Sequence, residues 1–142
     1  MNSIESTINR IIVGKVEPDE DLIESIIQMI KKHNIKSGLV NCIGALKQFT
    51  IGYFDINSKE YISKTFNEYI ELISCMGNIS FMDDKPVVHL HISIGRRDYT
   101  MIGGHLIQPS IVSITGEVHI LEIDRTLERS RDPQFDLSLL KI

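Results

Sequence analysis

Apolar residues recur along this chain with two different periods. Leu22, Ile23, Ile26, Ile27 and Ile30 step by three and four, which places them on one helix face. Ahead of them, Pro18-Asp19 breaks a strand-like run from Arg10 to Val16. Asp19 is expected to cap the helix, with Glu20 and Asp21 at the positive end of its dipole. Lys31, Lys32 and His33 suit the other end, and Asn34 suits a left-handed cap. The spacing therefore predicts a helix over about 19–33. Beyond it the period falls to two, or to short apolar runs bounded by turn residues. Strands are predicted at 38–46, 49–54, 60–66, 71–81 with a bend at Gly77, 87–94, 100–107 and 111–123. Asp55-Ile56-Asn57-Ser58 and Asp83-Asp84-Lys85-Pro86 supply turn chemistry. One or two helices with about seven strands imply an α+β fold built on a mostly antiparallel, curled β-sheet. A single domain covers 1–142, with a core over about 10–124. Residues 125–142 read as a C-terminal extension that packs through Phe135, Leu137, Leu139 and Leu140.

Composition narrows the function. Fifteen Lys and Arg against 19 Asp and Glu give a formal charge of −4 among 142 residues. Nucleic-acid modules draw affinity from phosphate neutralisation, so this balance counts against DNA binding by the chain alone. Cys42 and Cys75 lie in apolar runs and read as buried free thiols of a reducing compartment. The first residues show neither a basic start nor an apolar core of the signal-peptide kind. The stretch Tyr99–Gly116 carries no Asp, Glu, Lys or Arg, but it holds His105, Gln108, Pro109 and adjacent glycines, so no membrane span is expected. A cytoplasmic location is the resulting expectation.

Candidate chemistry concentrates between Val87 and His105. In a strand through Val87–Ile94, Val88, Leu90, Ile92 and Ile94 form an apolar face, and His89 and His91 point together from the opposite one. Gly95-Arg96-Arg97-Asp98-Tyr99 suits a hairpin loop to the next strand. If paired residue numbers sum to 194 or 196, His105 falls opposite His89 or His91 on the same face. A slip of one residue would put it on the other face. Three neutral imidazoles on strands form the ligand set of a catalytic zinc site with an open fourth position, and a bound divalent metal would polarise a carbonyl or activate water. The competing reading is an ordinary polar strand face. Gly103 and Gly104 leave room for a ligand or another backbone and stand, with Asn78, as candidate cofactor-binding residues. Glu117 is the candidate catalytic carboxylate. His33 and His119 read as structural, Arg96 and Arg97 as a solvated hairpin tip, and both cysteines as packing residues.

An ordered set of motifs carries a resemblance. Gly38–Leu46, Gly52-Tyr53-Phe54-Asp55, Glu71–Ile79, His89-Leu90-His91 and Gly103-Gly104-His105-Leu106 resemble the plants-and-prokaryotes conserved (PPC or PCC) domain over about Arg10 to Asp124. The resemblance implies an α+β fold with a strongly bent, mostly antiparallel β-sheet and one main helix packed on it, a homotrimer, and a metal on His89, His91 and His105. The family fold is itself similar to acetolactate decarboxylase, a zinc enzyme with a comparable histidine set. Plant members join the domain to AT-hooks, which is the origin of a DNA-binding label. An AT-hook needs an Arg-Gly-Arg-Pro core, and none occurs here. Three functions follow: a metal-binding domain acting on a small carbonyl or carboxylate compound, a DNA-associated regulator, and a structural trimerisation module.

Overall fold

The computed structural model describes residues 1–142. Its elements in chain order are β1 (Ile8–Val16), α1 (Leu22–His33), β2 (Gly38–Asp55), β3 (Glu60–Phe66), β4 (Ile70–Met82), β5 (Lys85–Gly95), β6 (Met101–Ile123), β7 (Glu128–Asp132) and β8 (Leu137–Lys141). The helix starts later than its polar prelude suggested, because Asp21 is the cap: its carboxylate accepts from the backbone N–H of Glu24 at 3.1 Å. The same carboxylate accepts from the backbone N–H of Ser110 at 2.7 Å, so one side chain both starts the helix and fastens it to β6. Asp19 instead adopts a left-handed backbone and pairs with Lys47. Asn34 closes the helix with φ 52°. Leu22, Ile26 and Ile30 bury their side chains against the sheet, each contributing about 1.5–3 kcal/mol of transfer free energy.

The sheet bends far enough to close. β2 pairs with β6 and also with β4, β4 pairs with β5, and β5 pairs with β6. Two predicted strands, 38–46 and 49–54, are one continuous β2, and 100–107 and 111–123 are one continuous β6. The predicted breaks survive as register shifts near Leu46, Gln48 and Thr50. Every named strand pairing is antiparallel except β7 with β4. Phe49, Leu46, Leu72, Ile79, Leu90, Ile94 and Ile120 fill the enclosed core.

Cys42 and Cys75 face each other as β2–β4 register partners, and both are buried and free. Burial is the main cause that pushes the Cys42 thiol up to about 12 and raises Cys75 as well. Thiolate is the reactive form, so neither cysteine should react with iodoacetamide at neutral pH until the chain unfolds. Mass spectrometry with and without denaturant would check this, and rapid labelling of the native protein would contradict it.

The C-terminal extension is more ordered than a packing tail. β7 and β8 form a hairpin, and β7 joins β4 through the parallel pair Phe81 and Glu128. No helix is long and apolar enough to cross a membrane.

Candidate metal centre

Register decides whether the histidines meet. β5 and β6 pair with His91 opposite His105, Ile92 opposite Gly104 and Ile94 opposite Ile102. That is the register with sum 196, and it places all three imidazoles on one face. The alternate residues Leu90, Ile92 and Ile94 are buried on the other. The pairing with β6 stops at His91, while β5 continues beside β4 alone back to Lys85. His89 thus stands where β5 parts from β6, and the gap forms a cleft of about 220 Å³ lined by Tyr61, Val87, His89, His105, Arg129 and Leu139.

The three rings lie with centroids 5.1–5.4 Å apart. One ligand atom from each falls within 4.8 Å of the others. The Nε2 atoms of His89 and His91 are 3.3 Å apart. Two nitrogens bound to one tetrahedral ion at ~2.0–2.1 Å would be separated by roughly the same distance. Nδ1 of His105 is buried without a hydrogen-bond partner, although buried polar atoms are normally paired. Donor type, convergence and the orphaned nitrogen all fit a metal ion held by His89, His91 and His105.

Neighbouring strands shape the site. Tyr61 on β3 lies with its ring centroid 4.9 Å from that of His105. β2 runs between them, and its residue opposite His105 is Gly52. A Cβ on Gly52 would come within 3.0 Å of the Tyr61 ring and 2.7 Å of Ile107, so the missing side chain lets the aromatic ring cross β2. On the other flank Asn78 is the β4 partner of His89. Arg129 reaches in from β7. Its Nε donates to Ser80 Oγ at 2.7 Å, its Nη1 to the Ser138 carbonyl at 2.7 Å and its Nη2 to Asn78 Oδ1 at 2.9 Å. Nη2 also lies 3.3 Å from His89 Nδ1.

Asn78 therefore contributes by holding Arg129. Gly103 and Gly104 border His105, but the space their missing side chains leave belongs to backbone. A Cβ on Gly103 would lie 2.4 Å from the Ile92 carbonyl oxygen, and one on Gly104 would lie 2.8 Å from that of Gly52. Their smallness draws β5 and β2 against β6. Glu117 sits further along β6, exposed, opposite Lys15 of β1 and Ile43 of β2. It borders a separate recess with Ile43, Glu71 and Ile114, and the structure does not bring it to the histidines. His33 ends the helix and His119 pairs with Val13, both outside the cluster. Arg96 is more than a solvated tip: it pairs with Glu68 at 2.8 Å and lies over the Phe66 ring. The residue that sequence reasoning missed is Arg129.

Two of the imidazoles, His89 and His105, resist protonation. Desolvation, followed by repulsion from Arg129 and His91, lowers His89 from its ordinary 6.5. Desolvation and then the His89, His91 and Arg129 charges push His105 down to about 4. With both folded values depressed, the unfolded chain binds more protons below pH 6.5. The stability these groups confer as neutral rings is complete above that pH and is lost as pH falls toward 4. Urea unfolding of the metal-free chain should show a midpoint that drops over this window and is steadier in His105→Ala. A wild-type midpoint indifferent to pH between 6.5 and 4 would refute the assignment.

Comparison with known structures agrees with this architecture. A metal-containing protein from Archaeoglobus fulgidus is 31% identical, covers 100% of both chains and superposes with a TM-score of 0.92. A plant- and prokaryote-conserved protein from Pyrococcus horikoshii is 31% identical over 100% of this chain and 98% of its own, with a TM-score of 0.91. A provisionally named DNA-binding protein from Bacteroides thetaiotaomicron is 29% identical over 96% of each chain, with a TM-score of 0.89. Acetolactate decarboxylase from Bacillus subtilis shares the fold alone, at 14% identity and a TM-score of 0.58 over 94% of this chain and 61% of that one. No curated protein matches the chain at a significant level. The profile of the Plants and Prokaryotes Conserved (PCC) domain matches residues 3–124, and the chain belongs to that family.

Proposed function

We propose that this protein is a metal-dependent domain that binds a divalent ion, zinc by ligand type, on His89, His91 and His105 and acts on a small carbonyl or carboxylate compound. The observation that carries the reading is the convergence of the three imidazoles, with the His89 and His91 Nε2 atoms 3.3 Å apart. Three neutral nitrogen donors leave a fourth position for water or substrate. When bound, the ion would supply Lewis-acid polarisation of a substrate oxygen. The chain's own residues do the rest. β5 and β6 hold the ligands in register, Tyr61 covers His105, and Leu137 and Leu139 wall the cleft from the hairpin side.

The DNA-associated reading has weaker support. The chain carries a net charge of −4 and no AT-hook core, and phosphate neutralisation needs cations. A homotrimer is part of the proposal, as the family resemblance implies. Ile43, Ile73, Met101 and Ile114 are all about half exposed or more, and outward apolar strand faces of this kind are what subunit contacts cover. Light scattering of the purified protein should give three times the chain mass; a monomer would contradict it. Two unpaired thiols fit a reducing, cytoplasmic setting.

Elemental analysis of protein purified without added metal tests the main claim. About one zinc per chain is expected. Protein that carries no metal and takes up none in a zinc titration would overturn it, and salt-dependent binding of duplex DNA by such protein would favour the regulator instead.

A further inference from the structure

The matched family region ends at residue 124, yet the hairpin beyond it supplies the one formally cationic side chain lining the histidine cleft, Arg129. Its acceptors are all neutral: Ser80 Oγ, the Ser138 carbonyl, Asn78 Oδ1 and His89 Nδ1. None of the ion pairs in the molecule includes it. A half-buried guanidinium without a counter-charge is unusual, because desolvating a charge is costly unless an opposite one accompanies it. The neighbouring imidazoles bring no negative charge, and a divalent ion on them would deepen the imbalance.

Metal ligation changes the hydrogen bonding of Arg129 in a definite way. With Nε2 of His89 turned to the ion, its Nδ1 carries the ring proton and stops accepting. Arg129 Nη2 then has an N–H without a partner. Nη1 donates to Ser138 and keeps a second N–H unused. Donors on both terminal nitrogens of one guanidinium match the two oxygens of a carboxylate. The walls beside it, Tyr61, Val87, Leu137 and Leu139, are mainly apolar, and the space is about 220 Å³. Arg129 is the one formally cationic side chain in this lining, so a singly charged carboxylate matches its charge as well as its fork.

We infer that Arg129, brought in by the C-terminal hairpin, is the recognition residue for a small organic carboxylate whose apolar part lies against Val87, Leu137 and Leu139. This rests on the metal reading above and names the substrate class for the same site. The hairpin, outside the matched family region but inside the full-length superposition on the Archaeoglobus and Pyrococcus proteins, is then the specificity element, and substrate selection follows the sequence of β7 and β8.

The test uses the full chain in two stages. Calorimetry first fixes zinc stoichiometry; isobutyrate and its neutral counterpart isobutyramide are then titrated into zinc-loaded protein and followed by NMR. Isobutyrate should saturate and shift the β7–β8 amides, whereas isobutyramide should not. Arg129→Gln should weaken isobutyrate by about 10-fold or more with zinc stoichiometry unchanged, and Arg129→Lys should lose part of it. Leu139→Phe, which narrows the cleft without touching the guanidinium, should weaken isobutyrate more than formate and guards against a hairpin disturbed by changing Arg129. Equal binding of isobutyrate by wild type and Arg129→Gln, or tighter binding of inorganic phosphate than of isobutyrate, would overturn the inference while leaving the metal site standing. Failure to take up zinc would sink the metal reading and this inference together.

Discussion

His91→Ala is expected to strip the protein of stoichiometric metal and to weaken zinc binding by about 100-fold or more, beyond what the loss of a supporting residue usually costs. His91 is exposed, and its one side-chain hydrogen-bond contact is to the Nε2 of His89. Removing it opens no cavity and orphans no buried partner. Unfolding of the metal-free variant should therefore stay within about 0.5 kcal/mol of wild type. This separation matters, because a ligand that also served packing would confuse loss of metal with loss of fold. His119→Ala supplies the control. It lies on the same long strand as His105 but pairs with Val13 of β1, away from the cluster. It should keep full metal content. Zinc competition against a chromophoric chelator would read both variants. If His91→Ala retained its metal at wild-type affinity, the three rings would be no more than a polar strand face.

The sequence revealed the histidine cluster because its information is local. The alternation from Val88 to Ile94 assigns faces without knowledge of any other strand, and the short loop Arg96–Thr100 leaves few registers to His105. Arg129 had no such signal. It lies in Glu128-Arg129-Ser130-Arg131-Asp132, a run without apolar alternation. Its approach depends on one parallel bridge between Phe81 and Glu128 and on the Leu127 carbonyl accepting from the N–H of Phe81. Closure of the sheet was hidden for a similar reason. β2 uses both of its edges, one toward β4 and one toward β6, and pairings between segments so far apart in sequence leave no periodic trace. The cap lies two positions beyond the expected Asp19, at Asp21, because β6 presents the Ser110 N–H and hydroxyl to that carboxylate.

Gly77→Ala is expected to be among the most damaging single-methyl changes in the chain. Gly77 stands on β4 between Val40 of β2 and Leu90 of β5. A Cβ there would come to 1.8 Å from the His89 carbonyl oxygen and 2.8 Å from its carbon. The obstacle is backbone, so no rotamer change relieves it. β4 and β5 must separate where Leu90 enters the core and where His89 presents its ring. A cost of about 3 kcal/mol or more is expected, at the upper end for overpacking, and zinc affinity should fall with it although no ligand has been altered. Gly95→Ala makes the fair comparison. It adds the same methyl on β5, at that strand's C-terminal end, but meets the Cδ1 of Ile73 at 3.0 Å, a flexible side-chain end that can turn away. Its cost should stay below about 1 kcal/mol, with metal binding unchanged. Urea unfolding and zinc titration of the two variants distinguish a strand pair held close for the site from one that merely tolerates glycine. Equal stabilities would mean that β5 can retreat from β4 freely, and that the position of His89 is fixed by something other than this contact.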